Sequence, residues 1–203
     1  MKILLYTHSD YNWVWKYWHQ QTDKFLKNFK KICLVNSQSS FRDDYLVIKY
    51  NDQKTYKNRI LSCLKKLNDD DVVLFLHEDM FLYNMPKLDI LDEYVNLITN
   101  DKCDSIKLIR AFDNLEKSIL HKNLLINPNN QLFSIKPTII KIKTLKLIYS
   151  IVPGDNIWNF EANTSNQHLK DFISLCSFDE NLDLKRGKYH FDSSVFPYVC
   201  TAV

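Results

Sequence analysis

Two apolar runs in this chain stop abruptly at polar residues. Val72-Val73-Leu74-Phe75-Leu76 leads into His77-Glu78-Asp79, and Ile3-Leu4-Leu5-Tyr6 leads into Thr7-His8-Ser9-Asp10. An unbroken run of this kind reads as a strand buried on both faces. Shorter runs, Lys31 to Val35 before Asn36-Ser37 and Tyr45 to Tyr50 before Asn51-Asp52, read as two more strands. Between them the period changes. Tyr11, Trp15, Trp18, Phe25 and Phe29 recur at steps of three, four and seven, the stripe of an amphipathic helix with Ser9 or Asp10 as its cap. Those rings are expected to pack a core, with Trp13 and Trp18 left open as sugar-stacking platforms. Tyr56, Ile60, Leu64 and Leu67 mark a helix over residues 55–67, and Leu88, Leu91, Val95 and Ile98 another, opened by Pro86.

The second half is less regular. Ser105 to Ile109 reads as a strand, 111–131 as an irregular excursion facing the acceptor, and 132–142, interrupted by Pro137, as edge strands. A short helix is expected over 143–151, a break at Pro153-Gly154-Asp155, and a helix-like piece around 168–175. Strands alternating with helices predict an α/β protein whose mixed, mostly parallel central sheet is flanked by helices. One domain is expected over 1–203, with a nucleotide-binding half of about 1–110 and an acceptor half of about 111–203.

Composition narrows the function. The 203 residues are 45% hydrophobic and 25% charged, ordinary for a globular protein, and the net charge of +3 is too mild to argue for a nucleic-acid partner. Five scattered cysteines with no C-x-x-C pair argue against a disulfide framework and a zinc ribbon, and point to a reducing, cytoplasmic setting. No signal peptide or transmembrane segment is expected. The two glycines, Gly154 and Gly187, belong to no glycine-rich loop, which removes the dinucleotide and P-loop fingerprints. Any nucleotide must then be held by side chains and metal. No G-x-S-x-G elbow supports serine hydrolase chemistry.

Ligands in open α/β sheets bind beyond the carboxyl ends of the strands, where His77, Glu78 and Asp79 fall beside Thr7 and His8, Asn36 and Ser37, and Asn51 and Asp52. Hard carboxylate oxygens beside an imidazole favour a manganese or magnesium ion. Strand alternation points His77 and Asp79 one way and Glu78 the other, making Asp79 the leading ligand.

The order of these parts resembles the nucleotide-sugar-dependent glycosyltransferases of the A-type fold. The resemblance is carried by residues 1–9, by Tyr56 and Arg59 ahead of Val72 to Asp79, by Trp158-x-x-Glu161, and by Lys188-Tyr189-His190-Phe191-Asp192-Ser193. It implies that Asp79 and His190 bind Mn²⁺ or Mg²⁺, with His77 or Glu78 standing where the family has its first acid. It further implies that Thr7, His8 and Arg59 contact the nucleotide of a UDP- or GDP-sugar and Lys188 its diphosphate. Trp158 would stack on the acceptor, a glycan or other hydroxyl compound, and Glu161 would deprotonate it. The rival readings are a non-catalytic nucleotide or glycan binder on the same fold and a metal-dependent phosphoesterase.

Overall fold

The computed structural model describes residues 1–37, 41–110, 112–127, 132–167, 169–179, 181–186 and 191–200. Each apolar run in the first half is a strand: β1 (Lys2–Tyr6), β2 (Lys30–Val35), β3 (Tyr45–Lys49) and β4 (Val72–His77). β5 (Met80–Leu82) follows β4 after a two-residue turn, and β6 (Ser105–Lys107), β7 (Leu124–Ile126), β8 (Thr138–Lys141), β9 (Ser174–Ser177) and β10 (Tyr198–Cys200) complete the set. Eight of these form one sheet in the order β3-β2-β1-β4-β8-β6-β9-β7, while β5 and β10 pair as a separate ribbon.

β1, β2, β3 and β4 are mutually parallel. β8 runs antiparallel to both β4 and β6, β9 is parallel to β6, and β7 is antiparallel to β9. Six strands therefore point one way and two, β8 and β7, the other. β8 is not the edge strand that Pro137 suggests. The proline lies just before the strand, where its missing N–H is not needed and its carbonyl accepts the Leu108 N–H at 2.8 Å. Thr138 to Lys141 are buried throughout, which suits the centre of a sheet. The excursion over 111–131 contains β7, and the segment after residue 171 becomes β9 rather than a helix. Strands of three and four residues are too short to show a period.

The helices are α1 (Asn12–Phe25), α2 (Tyr56–Leu64), α3 (Leu88–Thr99), α4 (Ile142–Ile151) and α5 (Ile157–Thr164). Strand alternation divides the core into two layers. Ile3, Leu5, Val72, Leu74 and Leu76 pack with Trp15 and Trp18 of α1 and Leu91, Tyr94 and Ile98 of α3. Leu4, Tyr6, Val73 and Phe75 face the other way, onto Tyr56 and Ile60 of α2, Leu145 and Tyr149 of α4, and Phe160 of α5. A 3-10 turn, Ser9–Tyr11, precedes α1 and is capped by His8, whose Nδ1 accepts the Asp10 N–H at 3.1 Å; α1 itself is preceded by Tyr11, which makes no side-chain cap, so neither Ser9 nor Asp10 caps it. Among the described residues no helix is long and apolar enough to cross a membrane, and Cys33, Cys63, Cys103, Cys176 and Cys200 are all free thiols.

Gly154 seats α5 against this second layer. A Cβ at Gly154 would stand 2.6 Å from the Phe160 Cα, closer than real Cβ atoms approach, and Phe160 is itself stacked on Tyr149 at 4.4 Å. Gly154→Ala is therefore expected to lower stability by about 1–3 kcal/mol through overpacking, read as a shifted urea midpoint. An unchanged midpoint would show that the turn yields freely.

Candidate functional site

The carboxyl ends of β1 and β4 open into a cavity of about 850 Å³, closed by the β3–α2 connection, the lead-in to β8 and the first turn of α5. Its rim is a fixed polar network. His8 Nε2 lies 2.9 Å from Asp52 Oδ2, and its Nδ1 lies 3.1 Å from the Asp10 backbone nitrogen. Asn36 bridges His8 and Ser9 at 2.9 Å each. Arg59 donates from Nε to the Lys54 carbonyl at 2.8 Å and pairs with Asp52 Oδ1 at 3.0 Å. The hydrogen bond from His8, aided by the charge of Arg59, holds the Asp52 carboxyl below the usual range.

His77, Glu78 and Asp79 all line the cavity, so the expected opposition between Glu78 and its neighbours is absent. The reason is local: β4 ends at His77, and residues 78–79 form a turn in which strand alternation no longer applies. His77 is buried, its ring packed 5.5 Å from Tyr6 and 5.4 Å from Phe75, and its Nε2 has no partner among the described residues. Burial lowers its pKa to about 4, leaving the ring neutral. Burial also pushes the Glu78 carboxyl up to about 8. Asp79 is more open and accepts the Cys200 thiol at 2.9 Å.

The α5 side of the cavity carries Glu161 and Trp158, one turn apart. Glu161 Oε1 accepts the Ile135 N–H at 2.8 Å, which ties α5 to the lead-in of β8. Trp158 is 69% exposed, so its ring is available to a ligand rather than spent in the core. Lys136, also lining the cavity, is held near pKa 8 by burial, opposed by the charge of Glu161. Beneath it lies Lys107, fully buried and lowered to about 7.

Other expected contacts do not meet here. Thr7 is buried under the cavity floor: its hydroxyl accepts the Trp15 indole N–H at 2.8 Å, its carbonyl accepts the Tyr50 hydroxyl at 2.8 Å, and its N–H bonds to Leu34. With all three polar groups engaged inside the fold, Thr7 supports the cavity floor without reaching the cavity. Lys188 and His190 lie outside the described residues. Trp18 is wholly buried and Trp13 faces a separate shallow groove between α1 and β5. Sequence reasoning passed over Lys136, Lys107 and Cys200. A lysine set inside each of the apolar stretches 105–109 and 132–140 was the available signal.

The cavity lining carries six carboxyl groups, Asp10, Asp52, Glu78, Asp79, Asp155 and Glu161, against two fixed cations, Arg59 and Lys136. A nucleoside diphosphate would meet net repulsion there unless a cation came with it. Among the described residues no three metal-ligating side chains converge. One or two carboxylates suffice, however, where substrate phosphates complete the shell of a magnesium-like ion. Asp79 with Glu78 fits a cation of that substrate-completed kind and not a closed protein cage.

No family model matches the chain, and no curated protein does. Solved structures share its fold, among them the following two. A 4-diphosphocytidyl-2C-methyl-D-erythritol synthase aligns at 10% identity over 91% of this chain and 93% of its own, with a TM-score of 0.50. An apo UDP-glucose pyrophosphorylase aligns at 9% identity over 97% of this chain and 94% of its own, also at 0.50. Likeness at this identity is likeness of fold, and it places the chain in the A-type-like α/β class expected from the sequence.

The buried Glu78 makes stability depend on pH with a definite sign. Its folded pKa of about 8 exceeds the ordinary 4.5, so the stability tied to its bound proton is complete below 4.5 and is lost as pH rises through 8. Glu78→Gln, neutral at every pH, should match the parent near pH 4.5 and exceed it at pH 8 by on the order of a few kcal/mol. Urea midpoints at the two pH values measure this; a gap that fails to widen would mean Glu78 is solvated.

Proposed function

We propose that this protein is a metal-assisted glycosyltransferase that moves a sugar from a UDP- or GDP-sugar to a hydroxyl of a glycan or glycoconjugate. What supports the reading is that one cavity holds Glu78 and Asp79 at the end of β4 together with Glu161 and the exposed ring of Trp158 on α5. The first pair suits a diphosphate carried with a cation; the second suits a hydroxyl acceptor.

In this reading Arg59, His8 and Asp52 orient the nucleotide at the rim, and Trp158 stacks on the acceptor. Asp79 and Glu78 would hold the divalent cation, which supplies charge neutralisation to the departing diphosphate. Glu161 Oε1 is anchored by Ile135, which leaves its other oxygen to take the acceptor proton. The new bond joins the acceptor oxygen to the anomeric carbon, the bond from that carbon to the diphosphate breaks, and the proton ends on Glu161.

The names of the two fold neighbours suggest a second reading, nucleotidyl transfer, in which a nucleoside triphosphate is consumed. Against it stands the acidic lining, with no glycine among the described cavity residues to let backbone N–H groups close on a triphosphate. A non-catalytic binder would retain the cavity and lack turnover.

Incubation of the protein with a panel of sugar nucleotides, Mn²⁺ and hydroxyl acceptors separates these. Release of nucleoside diphosphate that requires Mn²⁺ is expected, and release of pyrophosphate from a nucleoside triphosphate would favour the second reading instead. Asp79→Asn should lower the rate by on the order of 100-fold or more, and Glu161→Gln by a similar factor. Sugar-nucleotide binding with no turnover for any acceptor, or full activity in both variants, would sink the proposal.

A further inference from the structure

The outer side of α1 carries aromatic rings that the core does not take up. Trp15 and Trp18 are buried, whereas Trp13 is 58% exposed and Tyr17 55%. Trp13, Tyr17, Gln20 and Lys24 recur at steps of four, three and four, so they share one face of the helix, distinct from that of Trp15, Trp18 and Thr22. Together with β5 this face forms a groove of about 510 Å³, lined also by Gln21, Phe25, Phe81 and Leu82. Large rings one turn apart in a groove mark a binding surface, unlike apolar residues scattered singly.

Gln21 decides what the groove can hold. It is 7% exposed, at the groove floor, and its Oε1 accepts the Leu82 N–H at 3.1 Å. Because Leu82 can only donate, the amide orientation is fixed, and Nε2 is left as a buried donor without a partner among the described residues. An unpaired buried donor is costly, and an occupant that brings an acceptor oxygen relieves the cost. An acyl chain would not. Nor does β5 offer a free edge to an added strand: the Tyr83 N–H bonds to Pro197 on the β10 side, so the Leu82 N–H faces outward, where Gln21 already holds it. Among the described residues the lining contains no carboxylate, and its one cation, Lys24, lies over the Phe25 ring at 4.8 Å from the centroid. A neutral molecule with an apolar face for the rings and hydroxyls at its rim for the amides matches this lining. A pyranose ring has that form.

We infer that the groove between α1 and β5 is a second carbohydrate site, in which Trp13 and Tyr17 stack on a neutral sugar of a glycan and Gln21 Nε2 donates to one of its hydroxyls. Among the described residues the groove shares none of its lining with the cavity, although Val14 of the same helix lines that cavity. The site binds a glycan outside the reacting centre and does not depend on the transferase reading.

Cellotetraose, maltotetraose and chitotetraose are titrated at millimolar concentrations into the full chain without donor or metal, following the Trp13 and Trp158 indole N–H groups and the Gln21 side-chain amide by NMR. At least one of them should move the Trp13 and Gln21 signals saturably. Its affinity should fall roughly tenfold in Trp13→Ala, read at the Gln21 amide, and in Gln21→Glu, read at Trp13. Gln21→Glu keeps an oxygen for the Leu82 N–H and removes the donor, so binding that is unchanged in it overturns the proposal. Movement of Trp158 without Trp13, or full binding in Trp13→Ala, overturns it too. So does a Trp13 signal that none of the oligosaccharides moves; if dodecylphosphocholine moves it instead, the groove is an apolar contact face. Should Gln21→Glu lose its cooperative thermal transition, the decision passes to Trp13→Ala and Tyr17→Ala, both at exposed positions, and full binding in both overturns the proposal. Failure of sugar transfer leaves this result standing, and failure here leaves transfer untouched.

Discussion

Burial of β4 on both faces is the constraint on which the rest of the structure depends. All six of its residues are buried, with Val72, Leu74 and Leu76 packed into one layer and Val73 and Phe75 into the other. At about 1.5–3 kcal/mol for each large apolar side chain, that strand has one low-energy placement and a one-residue slip would invert it. Its register with β1 sets Tyr6 opposite His77, and its register with β8 sets Phe75 opposite Thr138. The floor of the cavity and the arrival of Lys136 are both consequences of those two pairings.

Such placement carries an electrostatic cost. A strand end buried this deeply desolvates whatever follows it, and both His77 and Glu78 are driven toward their neutral forms. Lys107 and Lys136 are shifted in the same sense on the neighbouring strands. All four shifts are driven by burial, since structural ion pairs would pull the pKa values the other way. The rim differs: His8, Asn36, Asp52 and Arg59 bond to one another and hold their geometry before any ligand arrives.

The parts legible in the sequence were those with long apolar runs or a clear helical period. β1 to β4 and α1 to α4 follow from residues such as Ile3 to Tyr6 and Tyr56, Ile60 and Leu64, and the strand-end position of His77, Glu78 and Asp79 follows from topology alone. What escaped depends on tertiary context. Pro137 demotes a strand by local rules, yet it precedes β8 and leaves the ladder intact. Thr7 sits at a strand end like His8, but the Trp15 indole that takes its hydroxyl comes from a helix a turn and more away. The place of Lys136 in the cavity wall rests on the reversed direction of β8, which no local pattern carries.

The span across the cavity, from the strand ends to Glu161, is set by aromatic packing rather than by the polar residues themselves. Phe160 of α5 is wholly buried and stacks on Tyr149 at 4.4 Å; the Tyr149 hydroxyl meets that of Tyr56 at 3.1 Å; and Tyr56 packs edge-on to Tyr6 at 5.4 Å. This chain of rings joins the short helix bearing Trp158 and Glu161 to the strand whose end lines the opposite part of the floor. α5 has only eight residues and could not hold its own position by helix propensity. Gly154 admits Phe160 into the wedge, and the Ile135 N–H fastens Glu161 from the other side. The two polar halves of the site are thus held at a fixed separation by an apolar spacer, as preorganised chemistry requires.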